Sequence, residues 1–365
     1  MPIVSGAPRT AAPAPETART REYGLDTLRI GSICGVVAIH VFGYVLGRAP
    51  RESRPWWIAV VLDVSWIWVV PVFVMISGAL ILGSRMAAEQ PGLFYRRRAM
   101  RLVPAVVAWN LIYLVGVRLW MRGEDLTPQR TLQLLVDGSV FTQLYFLWLI
   151  AGLYAVAPVL AGFLRGGGQS RAVKAAAAFL GASLLFYMLP GVLGLFGVAS
   201  PVRLNFLTHW MPYVGYFLAG YALRNVRLTG TKLTVTAIGT AVIIAGTVWH
   251  YGNKGEIRLL DAVVSVSYLG IGVALAALGV FVVTLSLASR LTVKRAGKPL
   301  TVLSNATFGV FLVHLVIFEA IRLQFPAVAA GMSIKAMVLA YAATLVGSFA
   351  VSAAARQVPL LRSIF

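Results

Sequence analysis

Apolar residues in this chain come in long runs, without the alternating or 3.6-residue stripes that mark the half-buried elements of a water-soluble core. A helix needs about 20 apolar residues to cross a bilayer. Ten segments approach or exceed that length: 28–47, 56–82, 102–120, 141–163, 173–195, 204–223, 232–251, 261–287, 301–321 and 334–354. The pattern predicts an all-α fold, a polytopic transmembrane helical bundle with about ten spans. Residues 1–22 carry Ala, Pro, Thr and Arg with no apolar run, and read as a disordered cytoplasmic tail. Residues 23–356 form the membrane domain, and 357–365 a short cytoplasmic C-terminal tail. The first run is followed by Arg48, Arg51 and Arg54 with no small-residue cleavage site, so it is a retained span and not a signal peptide. No internal repeat and no broken helices in paired positions are evident.

Composition agrees with lipid as the main solvent: 59% of the residues are hydrophobic and 12% charged. The formal net charge of +20 would point to nucleic acid in a soluble protein. Here the basic residues sit between the apolar runs, which is the positive-inside pattern, and no nucleic-acid partner is expected. With ten spans, 21 of the 32 basic residues fall on the side of the two termini and 11 on the other. The imbalance places both termini in the cytoplasm and favours an even number of spans. The single cysteine, Cys34, excludes an intramolecular disulfide and a cysteine-based metal site. No metal is expected.

Ionisable residues inside spans are costly and mark pathways or sites. At about 100° per residue, His40 returns to within about 20° of Arg29, roughly 16 Å higher on the first span, and Asp26 shares the stripe. Gly43 and Gly47 continue that face and let a helix or ligand approach. Packing against a neighbouring helix is the plainer alternative for His40. Asp63, in the second span, is placed either to orient a histidine or simply to reach interfacial water. Arg97 and Arg101, and Arg98 and Arg101, share a helix face and form a fork suited to phosphate. Topology and lipid headgroups explain the same arginines. His314 lies at mid-depth in the ninth span and is either functional or a packing residue. Glu319 and Arg322 are spaced to pair near the outer surface. His209 and Arg203 start the sixth span, where they are placed to line an outward mouth. His250 reads as an interface residue, and Trp56, Trp57, Trp120 and Trp249 as belt anchors.

Five ordered segments resemble the acyltransferase-3 family of membrane O-acyltransferases. They are Leu25-Asp26-Thr27-Leu28-Arg29 with His40, Val72-Phe73-Val74-Met75-Ile76-Ser77-Gly78, Phe94-Tyr95-Arg96-Arg97-Arg98 through Arg101 and Pro104, Tyr145-Phe146-Leu147 through Tyr154 and Pro158, and Ser304-Asn305-Ala306-Thr307-Phe308-Gly309 through His314. The nearest subgroup is the surface-polysaccharide O-acyltransferases, similar to the enzyme acetylating enterobacterial common antigen. This chain has Gln143 and Tyr145 where the family's fourth-span block commonly has histidine and tryptophan, and Phe311 where the ninth-span block has tyrosine. The resemblance implies transfer of an acyl group, usually acetyl, from cytoplasmic acetyl-CoA to a sugar hydroxyl of a cell-surface glycan or lipid-linked sugar, in a bacterial plasma membrane. Arg29, Arg97, Arg98 and Arg101 would hold the donor's phosphates. His40 would act as base or acyl carrier, with Asp26 or Asp63 supporting it and His314 as a second acid–base group. Arg203, His209 and Glu319 would meet the acceptor. Two rival readings are an O-acyltransferase of a small secondary metabolite and a non-enzymatic transporter or flippase of an amphipathic molecule.

Overall fold

The computed structural model describes residues 23–289 and 297–365. The tail 1–22, including Arg9, Arg19 and Arg21, and the loop cations Arg290, Lys294 and Arg295 lie outside the described residues. Among the described residues all regular structure is helical, with no strand. The elements are α1 (Tyr23–Leu46), α2 (Arg54–Val64), α3 (Val69–Ile81), α4 (Arg85–Glu89), α5 (Pro91–Leu111), α6 (Pro128–Val136), α7 (Tyr145–Arg165), α8 (Gly168–Leu195), α9 (Val214–Leu223), α10 (Gly230–Gly252), α11 (Arg258–Val263), α12 (Ile271–Ala288), α13 (Gly297–Gln324), α14 (Pro326–Ala330) and α15 (Ile334–Ala355). A π-helical stretch, Ile112–Met121, prolongs α5.

Nine helical stretches of the described residues are long and apolar enough to cross a membrane. The expected sixth span, 204–223, differs. Only Val214–Leu223 is α-helical, preceded by a single 3-10 turn, Met211–Tyr213, and an irregular segment before it. This crossing is a half-helix. Its bare upstream backbone is tolerated because protein covers part of it: Phe206 N–H donates to the Val136 carbonyl at 3.3 Å, and Trp210 lies against Gly152. The expected second span is also broken, between α2 and α3. There the Trp68 indole N–H donates to the Ser65 carbonyl at 2.7 Å, and Trp66 packs onto Gly35 of α1. The expected eighth span is shorter than 261–287, because residues 264–270 are non-helical.

The two half-helices α3 and α9 pack side by side. A Cβ on Gly78 would collide with the Phe217 backbone, and one on Gly220 with the Met75 backbone, so glycine sets this close approach. Both run toward the same end. The Arg224 guanidinium, just past α9, lies on Gly83, just past α3, and the Gln169 side chain donates to the Ala222 carbonyl. That end also gathers Arg29 of α1, Arg98 and Arg101 of α5, Asn305 of α13 and Arg356 after α15 around one cavity. The start of the first described helix and the end of the last therefore share one end of the bundle, as an even number of crossings requires.

Of the expected belt tryptophans, Trp120 and Trp249 are exposed. Trp56 is buried and Trp57 packs on Gly252, so these two belong to the core.

Candidate active site

The basic end opens into a cavity of about 390 Å³. Arg29, Arg98, Arg101 and Arg356 supply its charge, and Ser77, Ser304, Asn305 and Thr307 its neutral polar groups. Its size lies in the range of small-molecule sites. No acid lines it. Among the described residues, no carboxylate forms an ion pair with Arg98, Arg101 or Arg356. Arg98 is braced over the rings of Phe94 and Tyr154. Arg97 points elsewhere, toward a neighbouring cleft, and its guanidinium contacts the Met86 sulfur at 3.6 Å.

A second chamber of about 130 Å³ lies deeper. It is bordered by His40, Thr142, Gln143, Tyr145 and Tyr268 with a few aliphatic side chains. Phe73, Phe146 and Phe311 line both spaces. Their rings are in contact in sequence, at 6.1 Å for Phe73–Phe146 and 5.4 Å for Phe146–Phe311. These three rings form an apolar collar between an arginine-lined floor and a histidine chamber.

His40 and His314 come together, with ring centroids 5.2 Å apart. His314 is fully buried. Its Nδ1 lies 2.8 Å from the Phe311 carbonyl and 3.1 Å from that of Val310. Carbonyls only accept, so Nδ1 carries the hydrogen, and in the neutral ring Nε2 is left as an acceptor. That Nε2 has no protein partner among the described residues. Helix α13 thus fixes the tautomer of a histidine that stands behind His40.

The expected supporting carboxylates divide. Asp26 does not reach His40: it lies about 21 Å down the axis of α1. It accepts a 2.6 Å hydrogen bond from Ser304 and pairs with Arg29 at 3.7 Å. Its place is among the groups that hold Arg29 and α13 at the cavity floor. Asp63 lies one turn beyond His40, where a Cβ on Gly43 would sit 3.4 Å from its Oδ2. The glycine face of α1 at Gly43 is therefore occupied by α2.

Glu319, expected to meet the acceptor, is held by two arginines. It is 3% exposed, and both of its oxygens are taken: Arg122 donates to them at 2.9 and 3.2 Å, and Arg322 donates from one turn away. Arg322 also donates to the Tyr44 hydroxyl at 3.1 Å. This is a structural lock between the π-helical end of α5 and α13. Removing the carboxylate strands two arginines, a cost of about 2 kcal/mol once Arg122's partial exposure is allowed for. The Glu319→Ala variant is expected to melt about 4 °C lower in detergent. An unchanged midpoint would show that the lock contributes nothing.

His209 is tethered, its Nε2 donating to the Asp137 carbonyl at 3.3 Å, with its ring 5.6 Å from Tyr145 of the chamber. Arg203 is exposed on the same irregular segment. His250 Nε2 donates to the Asp261 carboxylate at 2.8 Å, away from both chambers. Five lining residues were not picked out as site residues from sequence. Arg356, counted only toward topology, completes the floor. Gln143, noted only as a departure from a motif, is 2% exposed at the wall of the histidine chamber. Phe73, Phe146 and Phe311 carry no local signal of a shared collar. Among the described residues no group of three or more His, Cys, Asp or Glu side chains could hold a metal.

The helical bundle thus places an arginine-lined cavity and a chamber bordered by His40, with His314 against it, next to one another. Residues 22–356 match the acyltransferase-3 family, described as an acyltransferase domain. The chain belongs to this family and is a multi-pass membrane acyltransferase. No curated protein and no solved structure gives a significant match.

Proposed function

We propose that this chain moves an acyl group, acetyl in the first instance, from acyl-CoA to a hydroxyl of a cell-surface glycan or lipid-linked sugar at a bacterial plasma membrane. The observation that carries this reading is the arginine floor connected through the phenylalanine collar to His40. With the basic end facing the cytoplasm, Arg29, Arg98, Arg101 and Arg356 meet a strongly anionic donor where it is abundant. The thioester arm passes the collar, which is apolar and suits an uncharged chain while shielding the thioester from water.

In the histidine chamber the acceptor hydroxyl gives its proton to an unprotonated nitrogen of His40 as its oxygen attacks the thioester carbonyl carbon. The C–S bond then breaks, the acyl group stays on the sugar oxygen, and the leaving sulfur takes the proton back from the imidazolium. His314 acts behind His40: its Nε2 is an acceptor that no protein group satisfies, and it is placed to steady the cation. The acceptor enters from the opposite end, on the side of Tyr145 and His209. Asp63 is the nearby carboxylate that would favour the cationic intermediate.

One observation favours a rival reading as a transporter or flippase: α3 and α9 are broken helices lying side by side, a device that carriers use at their binding sites. Titrating purified protein with acetyl-CoA separates the two. Saturable binding, followed by release of free CoA when a sugar acceptor is added, is expected of the transferase. No binding would leave the carrier.

A further inference from the structure

A second basic space lies beside the donor cavity. This cleft, about 370 Å³, is lined by Arg97, Arg101, Arg356 and Arg362 with Asn305 and Phe308. It shares Arg101, Arg356, Asn305 and Phe308 with the first cavity, so the two adjoin at these side chains. No acidic side chain lines it, and among the described residues no ion pair involves Arg97 or Arg362.

The segment after α15 builds this cleft instead of hanging free as a tail. It folds back over α5 and α13. The Trp109 indole N–H donates to the Ile364 carbonyl at 2.8 Å, the Phe365 ring packs on Trp109 at 5.2 Å, and Phe365 covers Gly309, where a Cβ would lie 2.7 Å from its ring. These contacts hold the backbone just after Arg362, whose own N–H donates to the Val358 carbonyl at 2.9 Å, and Arg362 lines the same cleft as Arg97. Gathering four like charges costs energy in the empty protein, and a bound anion relieves it.

A donor nucleotide with a diphosphate and a separate ribose phosphate needs two anion sites a short distance apart. We propose that the second cleft receives the 3′-phosphate of the acyl-CoA nucleotide, with Arg362 and Arg97 as its specificity-determining residues, while the diphosphate occupies the first cavity. This rests on the acyl-CoA reading above.

The test measures binding of acetyl-CoA and of 3′-dephospho-acetyl-CoA to purified wild type and to Arg362→Ala, in detergent with and without added phosphatidylglycerol. Wild type is expected to prefer acetyl-CoA. The variant should lose about five- to tenfold in affinity for acetyl-CoA and less than twofold for the dephospho form. Arg362→Lys should keep part of the preference, and retained binding of the dephospho form shows that the variant is folded. Equal losses for both ligands, or no loss, would overturn the assignment. So would a change only in retained phosphatidylglycerol, which would make the cleft a lipid headgroup site. If wild type binds neither nucleotide, the donor reading itself fails, an outcome distinct from loss of 3′-phosphate selectivity alone.

Discussion

Replacing His40 with alanine is expected to abolish acyl transfer while leaving the protein inserted in the membrane and able to bind acetyl-CoA. Among the described residues, His40 is the only titratable side chain lining the inner chamber apart from two tyrosines. Loss of a positioned general base lowers turnover by about 10²- to 10⁴-fold. Donor affinity should barely change, because the arginine floor lies roughly 16 Å away along α1. The measurement is turnover with labelled acetyl-CoA, run beside a binding isotherm on the same preparation. Wild-type turnover in the variant would remove His40 from the reaction and leave His314 to be tested in its place. A variant that neither binds nor transfers would instead point to a folding defect.

The second large effect is expected at the other end. The double variant Arg98→Ala/Arg101→Ala removes two of the four guanidinium groups of the donor cavity. A hydrogen bond to a charged group contributes about 1.5 kcal/mol or more, so two such losses amount to about 3 kcal/mol, or roughly 10²-fold in affinity. The Kd for acetyl-CoA should rise by that factor, and KM with it. Turnover at saturating donor should fall much less, since neither residue reaches the histidine chamber. Raised salt should narrow the difference between wild type and variant, because the lost interaction is with screened, partly exposed charge. A Kd that does not move would assign these arginines to topology and headgroup contacts.

The two variants are expected to act separately because the arginines and His40 line different cavities. The phenylalanine collar is the boundary: charge lies on one side and the histidine pair on the other.

Much of this was legible in the chain. Long apolar runs dictate membrane helices because backbone polar groups must be satisfied within the bilayer. Helical periodicity alone put His40 above Arg29, and the i, i+3 and i, i+4 spacings put Arg97, Arg98 and Arg101 on one face. The fork then divided between two neighbouring spaces, with Arg98 facing one, Arg97 the other and Arg101 both. Tertiary structure added to three readings what the sequence pattern does not carry. Asp26 shares a stripe with His40, but Ser304, 278 residues away in sequence, claims its carboxylate. Glu319 was expected to pair with Arg322 and does, yet Arg122 takes its remaining capacity. The half-helix at 214–223 reads as a full span by hydropathy, since hydropathy registers apolar residues and not whether their backbone is helical.

The sequence by itself determined the class: an all-helical membrane domain, a cluster of arginines on one helix face, and a histidine within the first span. Spacing within one helix fixes which residues share a face, and that information is local. Only the tertiary structure decided which faces meet. It brought His314 against His40, closed the Phe73–Phe146–Phe311 collar, added Arg356 to the floor and folded Arg362 back beside Arg97. Each of these joins helices far apart in the chain, through side-chain packing and close glycine contacts that no single-helix pattern encodes.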